Sequence, residues 1–502
     1  MYNNKRKHDL ISATRISNYI RNDPIIDYLD IVAKNGYQIS SSDLTLQKKT
    51  KTKTKAKSES EDNNPPKKSS FDYIVEDGYK FEESIIAKIK SLMSKSKNLH
   101  KLITMTKHED INVYYNETKN IIESHKYDII LNAILINFLD NTYGYPDLIV
   151  TGSWIQQYIT DPPKTEQHKY YIIDIKSSTI HLINNAQHVS TSTLYAGYKS
   201  QIFVYKTALD QIQHCNSNYG FILGKKYKFI QNHNEIEIHN PFSRLGIIDY
   251  SYEKSKRNDI KKKVHKAINW TTDLSKNWKT YKLTPPTRIE LYPNMKNSYD
   301  KTHRKLKKRI ATANHEITTL WNCGIAQRNL AFKKKIKTYL NPKLTPSILG
   351  LTPESSRYKI LDKMLQLARS LNTTLISVSP HNNHNSWRIP TQREFYIDFE
   401  TYFSNFDELS IDDDNTNSTE IKRNSCKLYM IGIGTIINNN YDYKCFIIDY
   451  PEAQLLYNNN KPQQQQNHNC TKQNIILVQS EYSLITEFIK YIYSLEPPSH
   501  IK

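Results

Sequence analysis

One short run of β-branched and aromatic residues carries an acid and a base two positions apart: residues 170–179 read YYIIDIKSST. Tyr171, Ile172, Ile173 and Ile175 have the profile of a buried strand, whose pleat sends Asp174 and Lys176 out of one face. A carboxylate buried without a partner is expensive. The chain must therefore leave this pair on an exposed strand edge as a simple salt bridge, or bring other groups against Asp174 that compensate it.

With 502 residues the chain has room for two or three domains. Its 70 Lys and Arg against 50 Asp and Glu give a formal net charge of +20, spread along the sequence, which favours a polyanionic partner, nucleic acid first. No stretch approaches about eighteen consecutive apolar residues, and MYNNKRKHDL at the start has no apolar segment after its charges. A soluble, intracellular protein without a membrane partner is expected, cytoplasmic or nuclear. Cys215, Cys323, Cys426, Cys445 and Cys470 stand far apart with no C-x-x-C pair, and read as free thiols rather than a zinc site or disulfide framework. Abundant Asn, Lys, Ile and Tyr with only 12 Gly is the bias of AT-rich coding, as in a large AT-rich virus or a parasite, and so of a protein acting in a host cell.

Residues 1–39 read as a short helical entry, with Ile11, Ile16, Tyr19 and Ile20 at near-helical spacing and Asp23-Pro24 as punctuation. The Ser-, Lys-, Thr- and Pro-rich text of 40–70, including KKTKTKTKAK, cannot bury a core and is expected to be a disordered basic linker. From 71 to 245 the order helix, strand, strand, helix, strand indicates an α/β core. Phe81, Ile85, Ile89 and Leu92 mark the buried stripe of its first helix. Residues 246–390 are basic and mostly helical, a face suited to phosphates. From 391 to 502 a second strand-rich module begins with EFYIDFET, broken by an acidic insertion at 406–420 and the polar tract NNNKPQQQQNHN.

Four fragments, in order, bear on Asp174: GYKFE with Glu82, YPDLIV with Asp147, IIDIKSS with Asp174 and Lys176, and QIFVY with Gln201 and Tyr205. Together they resemble the PD-(D/E)XK nuclease superfamily, and the Gln-x-x-x-Tyr after the D-x-K is similar to its RecB-like branch. The resemblance covers roughly residues 10 to 240. It implies a restriction-endonuclease-like core that hydrolyses phosphodiester bonds, of DNA ahead of RNA, with Mg²⁺ or Mn²⁺. Hard carboxylate-bound cations suit that reaction because they neutralise the phosphate and activate water. The implied metal ligands are Glu82, Asp147, Asp174 and the backbone carbonyl of Ile175. Lys176 would orient the attacking water or stabilise developing charge, and Gln201 and Tyr205, four apart on one helical face, would contact phosphate or metal water. Glu83 rivals Glu82 for the helical acid, Asp147 after a proline also reads as a turn residue, and Tyr205 also reads as a packing residue. His181 and His188 read as ordinary polar histidines.

FYIDFET puts Asp398 and Glu400 on one strand face, the arrangement with which DnaQ-type, RNase H-like exonucleases begin. Two-metal chemistry needs further acids from later elements, and the sequence reaches PPSHIK without them. An incomplete RNase H-like module, silent unless a separate chain completes it, is the expectation. EITTLWNCGIAQRNLAFKKKIKTYLNPKL sits where a helix-hairpin-helix-like element is implied, though its turn has one glycine instead of two, and it reads equally as a purely structural helical hairpin. The rival of another class is a catalytically silent nucleic-acid-binding protein built on degenerate nuclease folds.

Overall fold

The computed structural model describes residues 10–40, 42–48, 70–95, 100–256, 258–300, 302–370, 393–402, 427–437, 440–448 and 475–495. The chain is mixed α/β and divides into two compact units, residues 1–373 and 374–502. Residues 49–57 of the run KKTKTKTKAK, 406–420 and NNNKPQQQQNHN, together with Cys426 and Cys470, lie outside the described residues.

The first unit opens with β1 (Ile11–Ser12), α1 (Ser17–Ile20) and α2 (Ile25–Lys34), followed by the antiparallel hairpin of β2 (Tyr37–Ile39) and β3 (Leu46–Lys48). Two expectations change here. Ile11 belongs to a strand rather than a helix, because it pairs with Thr142 far along the chain. Residues 42–48, assigned to the linker on composition, complete a hairpin whose Ile39 and Leu44 are buried against the helical core described below. Pro24 precedes α2 at φ −66°, the angle its ring imposes and a helix accepts at its start. The 26-residue α3 (Ser70–Lys95) then buries Ile85 and Ile89, two members of the stripe legible in sequence.

The central sheet is assembled from β4 (Leu102–Thr104), which leads through α4 (Ile111–Ser124) to β5 (Ile129–Leu131), and from later strands. The chain first leaves it for a small sheet, through β6 (Leu135–Asn137) and β7 (Thr142–Gly144), which joins β1. It returns as β8 (Leu148–Thr151), passes α5 (Gly152–Tyr158), and runs up the middle of the sheet as β9 (Tyr170–His181). After α6 (Ala196–Ile212) come β10 (Tyr219–Gln231), β11 (Asn234–Ile238) and β12 (Gly246–Asp249). Strand order is β11-β10-β9-β8-β5-β4, with β12 also on β10; β9 is antiparallel to β8 and parallel to β10. Period-2 alternation divides the core in two. Tyr171, Ile173 and Ile175 pack with Ile85, Ile89, Trp154 and Ile155, whereas Ile172 and Ile180 pack with Ile202, Tyr205 and Leu209 of α6.

Helices α7 (Tyr250–Ser255), α8 (Ile260–Asn277), α9 (Arg304–Ala313), α10 (Ile325–Lys333) and α11 (Ser356–Arg369) follow. A boundary at 245 would cut β12 from its sheet, and Ile260, Val264 and Ala267 of α8 belong to the same core as α6. The N-terminal segment also crosses the expected borders. Ile25, Tyr28, Leu29 and Val32 of α2 share a core with Trp270, Leu274 and Trp278, and buried Lys307 is ion-paired to both Asp23 and Asp300. The stretch expected to hold a helix-hairpin-helix-like element contains a 3₁₀ turn at Ile317–Thr319 and α10, whose N-cap is Gly324.

The second unit contains β13 (Arg393–Tyr402), β14 (Lys427–Ile437), β15 (Asn440–Ile448), β16 (Ile475–Val478) and α12 (Glu481–Leu495). The sheet runs β13-β14-β15-β16, antiparallel except for the last pair. Leu484, Phe488 and Tyr491 of α12 cover Ile431, Ile433 and Phe446.

Candidate functional site

The site starts from strand register. Leu148 pairs with Ile173 across the antiparallel β8–β9 ladder, so one step outward Asp147 stands opposite Asp174. The Ile175 N–H donates to Asp147 Oδ2 at 2.6 Å, fixing that carboxylate against β9. Lys176, two residues along the same face, places Nζ 2.6 Å from Asp174 Oδ2 and 3.9 Å from Asp147 Oδ2. Asp174 is wholly buried, and neither of its oxygens receives a hydrogen bond of good geometry; the Lys176 ammonium is its compensation. That ion pair resolves the opening alternative, since the strand is central and the acid is not at an exposed edge.

The fork of the chain opens a cleft beside this pair. Asn132, in the left-handed region at φ 56°, turns the chain from β5 into the small sheet, and Tyr145-Pro146-Asp147 brings it back from β7 to β8. Between the two crossings lies a cleft of about 380 Å³ lined by Glu82, Lys107, Asn132, Tyr145, Pro146 and Asp147. Glu82 reaches it from α3, whereas Glu83 is exposed and lines no part of it.

The electrostatics match this crowding. Burial pushes the Asp147 carboxyl well above the usual carboxylate range, Asp174 and Glu82 push it further, and Lys176 and the Ile175 N–H pull against them. Burial also raises Glu82; Lys176 opposes the shift while Asp174 and Glu83 add to it. For Lys176 burial works against the charge, but Asp174 and Asp147 outweigh it and hold the ammonium above the ordinary lysine range.

Helix α6 supplies the fourth side. Gln201 Nε2 donates to the Tyr205 hydroxyl at 2.7 Å, and burial followed by the charge of Asp174 keeps that hydroxyl protonated. Tyr198, one turn before Gln201, sets its ring 5.2 Å from Lys176 Nζ, a cation–π contact. Gly144 leaves room for all this: a Cβ there would overlap the Tyr205 ring.

Glu82, Asp147, Asp174, Ile175, Lys176, Gln201 and Tyr205 are thus drawn from α3, the β7–β8 crossing, β9 and α6 to one place. The contact observed for Ile175 is through its N–H. Sequence reading missed Tyr198, Lys107, Asn132 and Tyr145, and marked Gly144 only as a turn signal. Of the four, Tyr198 had a signal, lying three and seven residues before Gln201 and Tyr205 on one helical face. His181 contacts the Tyr195 hydroxyl at 2.7 Å and His188 lies 4.0 Å from Asp249; neither lines the cleft. Asp398 and Glu400 share a face of the edge strand β13 in the other unit, both exposed.

Hard oxygen donors set close together suit a divalent cation such as Mg²⁺, which is commonly held by one or two carboxylates, water and substrate phosphate rather than by a full protein cage. Among the described residues no three His, Cys, Asp or Glu side chains close into such a cage. The buried Asp174 carboxylate, ion-paired to Lys176 and beside Asp147, fits the partial coordination of that ion. No family model matches the chain, and no curated protein is similar to it in sequence.

Proposed function

We propose that this chain is a divalent-metal-dependent nuclease that hydrolyses phosphodiester bonds of nucleic acid, DNA ahead of RNA, at the Asp147–Asp174–Lys176 cluster. The observation that carries the reading is the opposition of two carboxylates across β8 and β9 with a lysine ammonium 2.6 Å from one and 3.9 Å from the other. Acid, acid and base at this spacing, one acid wholly buried, are costly to assemble in a core. They match the needs of phosphate-ester hydrolysis.

Asp147 and Asp174, with Glu82 across the cleft and the Ile175 carbonyl, would hold Mg²⁺ or Mn²⁺. When bound, such an ion neutralises charge on the scissile phosphate and makes water nucleophilic near neutral pH. The protein's own groups do the rest. Lys176 enters as an ammonium, fixed by two carboxylates and the Tyr198 ring, and its charge orients the attacking water or stabilises the negative charge that develops on the phosphate. The Gln201 amide holds the Tyr205 hydroxyl beside the acids, where it can donate to a phosphate oxygen. The net charge of +20 supplies the long-range attraction that brings a polyanion to this acidic cleft.

Replacing Asp174 with Asn should lower cleavage of linear and single-stranded DNA in Mg²⁺ by about 100-fold or more while leaving the folded content unchanged. Full activity in that variant refutes the assignment. Wild-type protein that binds DNA with strong salt dependence but yields no product in Mg²⁺ or Mn²⁺ would instead be a binding protein on a nuclease-like scaffold.

A further inference from the structure

We infer that Tyr145 is a stacking platform for one unpaired nucleobase and that Lys107 contacts the adjoining phosphate, so that the cleft accepts an unpaired nucleotide rather than a base pair. This rests on the reading of the cleft as a nuclease site and names what that site takes.

Tyr145 lies two residues before Asp147, and both line the cleft. It is 38% exposed, a large ring with part of its surface at the wall of the cleft. The ring is flanked by two others. Tyr143 meets it edge-on with centroids 6.0 Å apart, and Tyr114 is tilted against it at 6.2 Å. Tyr114 is in turn buried and hydrogen-bonded through its hydroxyl to the carbonyl of Asn132, another residue of the cleft wall. A ring held in this way loses little freedom on binding, and aromatic rings so placed are how proteins hold bases without reading their sequence.

Charge fixes the orientation. Without a divalent cation the acidic part of the wall at Asp147 and Glu82 disfavours a phosphate, whereas Lys107, exposed on the loop between β4 and α4, attracts one. A nucleotide with its base on Tyr145 and a phosphate on Lys107 satisfies both. At about 380 Å³ the cleft falls in the range of roughly 300–1,000 Å³ that takes one small-molecule-sized group. A base within a duplex is already stacked on both faces and must be extruded to reach Tyr145; an unpaired base has no such cost.

The test is binding of the full chain to fluorescently labelled oligonucleotides at fixed salt without divalent cations, read by anisotropy. Three probes are used: a single strand, a blunt duplex, and an abasic strand of the same length. Tyr145→Ala should weaken single-strand binding by about 5- to 100-fold and leave the abasic strand unaffected, and Tyr145→Phe should stay within about twofold of wild type. Lys107→Gln should weaken single and abasic strands alike and reduce the salt slope by about 1. Equal loss on the abasic strand, no loss on the single strand, or wild-type binding to the blunt duplex as tight as to the single strand overturns the inference. Failure of the nuclease reading shows separately, as absence of product with Mg²⁺ or Mn²⁺ whatever the affinities.

Discussion

At the residue scale the buried Asp174 decides most. Its two oxygens have no hydrogen-bond donor of good geometry, so the Lys176 ammonium carries the compensation. Lys176→Met should destabilise the protein by up to about 3–5 kcal/mol in urea unfolding without divalent cations, because it leaves a buried carboxylate uncompensated. Adding Asp174→Asn to Lys176→Met should recover most of that loss, a coupling that independent sites do not show. The identity of these residues was legible: an acid and a base two apart in an apolar strand, an acid after a proline, and a glutamine and tyrosine on one helical turn. The choice of Glu82 over Glu83 was not, because neighbouring helix positions differ by about 100° and only the docking of α3 against β9 decides which one faces the cleft. Gly144 was legible as a turn signal but not for its packing role, which lies in the Tyr205 ring beside it.

At the scale of elements, α2 shows how far apart in sequence the partners of a helix can lie. Its stripe of Ile25, Tyr28, Leu29 and Val32 packs on Trp270 and Leu274 of α8, and Asp27 accepts hydrogen bonds from Asn18 at 2.8 Å and from the Trp270 indole at 3.1 Å. Burial pushes the Asp27 carboxyl up to about 7, against the pull of those two donors. An acid whose folded pKa lies above its unfolded value binds more protons folded than unfolded in the interval between them. Stability therefore falls as pH rises from about 4 towards about 7 and then levels off, a contribution on the order of 4 kcal/mol at most. Thermal unfolding should show a higher Tm near pH 5.5 than near pH 8 from this group, and Asp27→Asn should flatten that part of the profile. The helical period of α2 was readable; the surface that receives it, some 240 residues later, was not.

At the scale of the molecule, two compact units carry different prospects. The first gathers its acids into a cleft, whereas Asp398 and Glu400 of the second stand exposed on an edge strand. Replacing both with Ala in the full chain should leave phosphodiester cleavage within about twofold of wild type, since surface changes away from a site are usually small in effect; loss of activity would move the chemistry to that unit. No helix among the described residues is long and apolar enough to cross a membrane. What the sequence determined by itself was local: which runs are strands, which faces of helices are apolar, and which residue types have the chemistry for a phosphate ester. Those properties follow from periods of 2 and 3.6 residues and are complete within a few turns of chain. Tertiary structure alone decided that Asp147 stands opposite Asp174, that the fork between two sheets opens beside them, and that the N-terminal helix finishes a core begun past residue 260. Each of these depends on strand register or helix docking between distant segments, where the favourable term is mutual burial and no short stretch contains both partners.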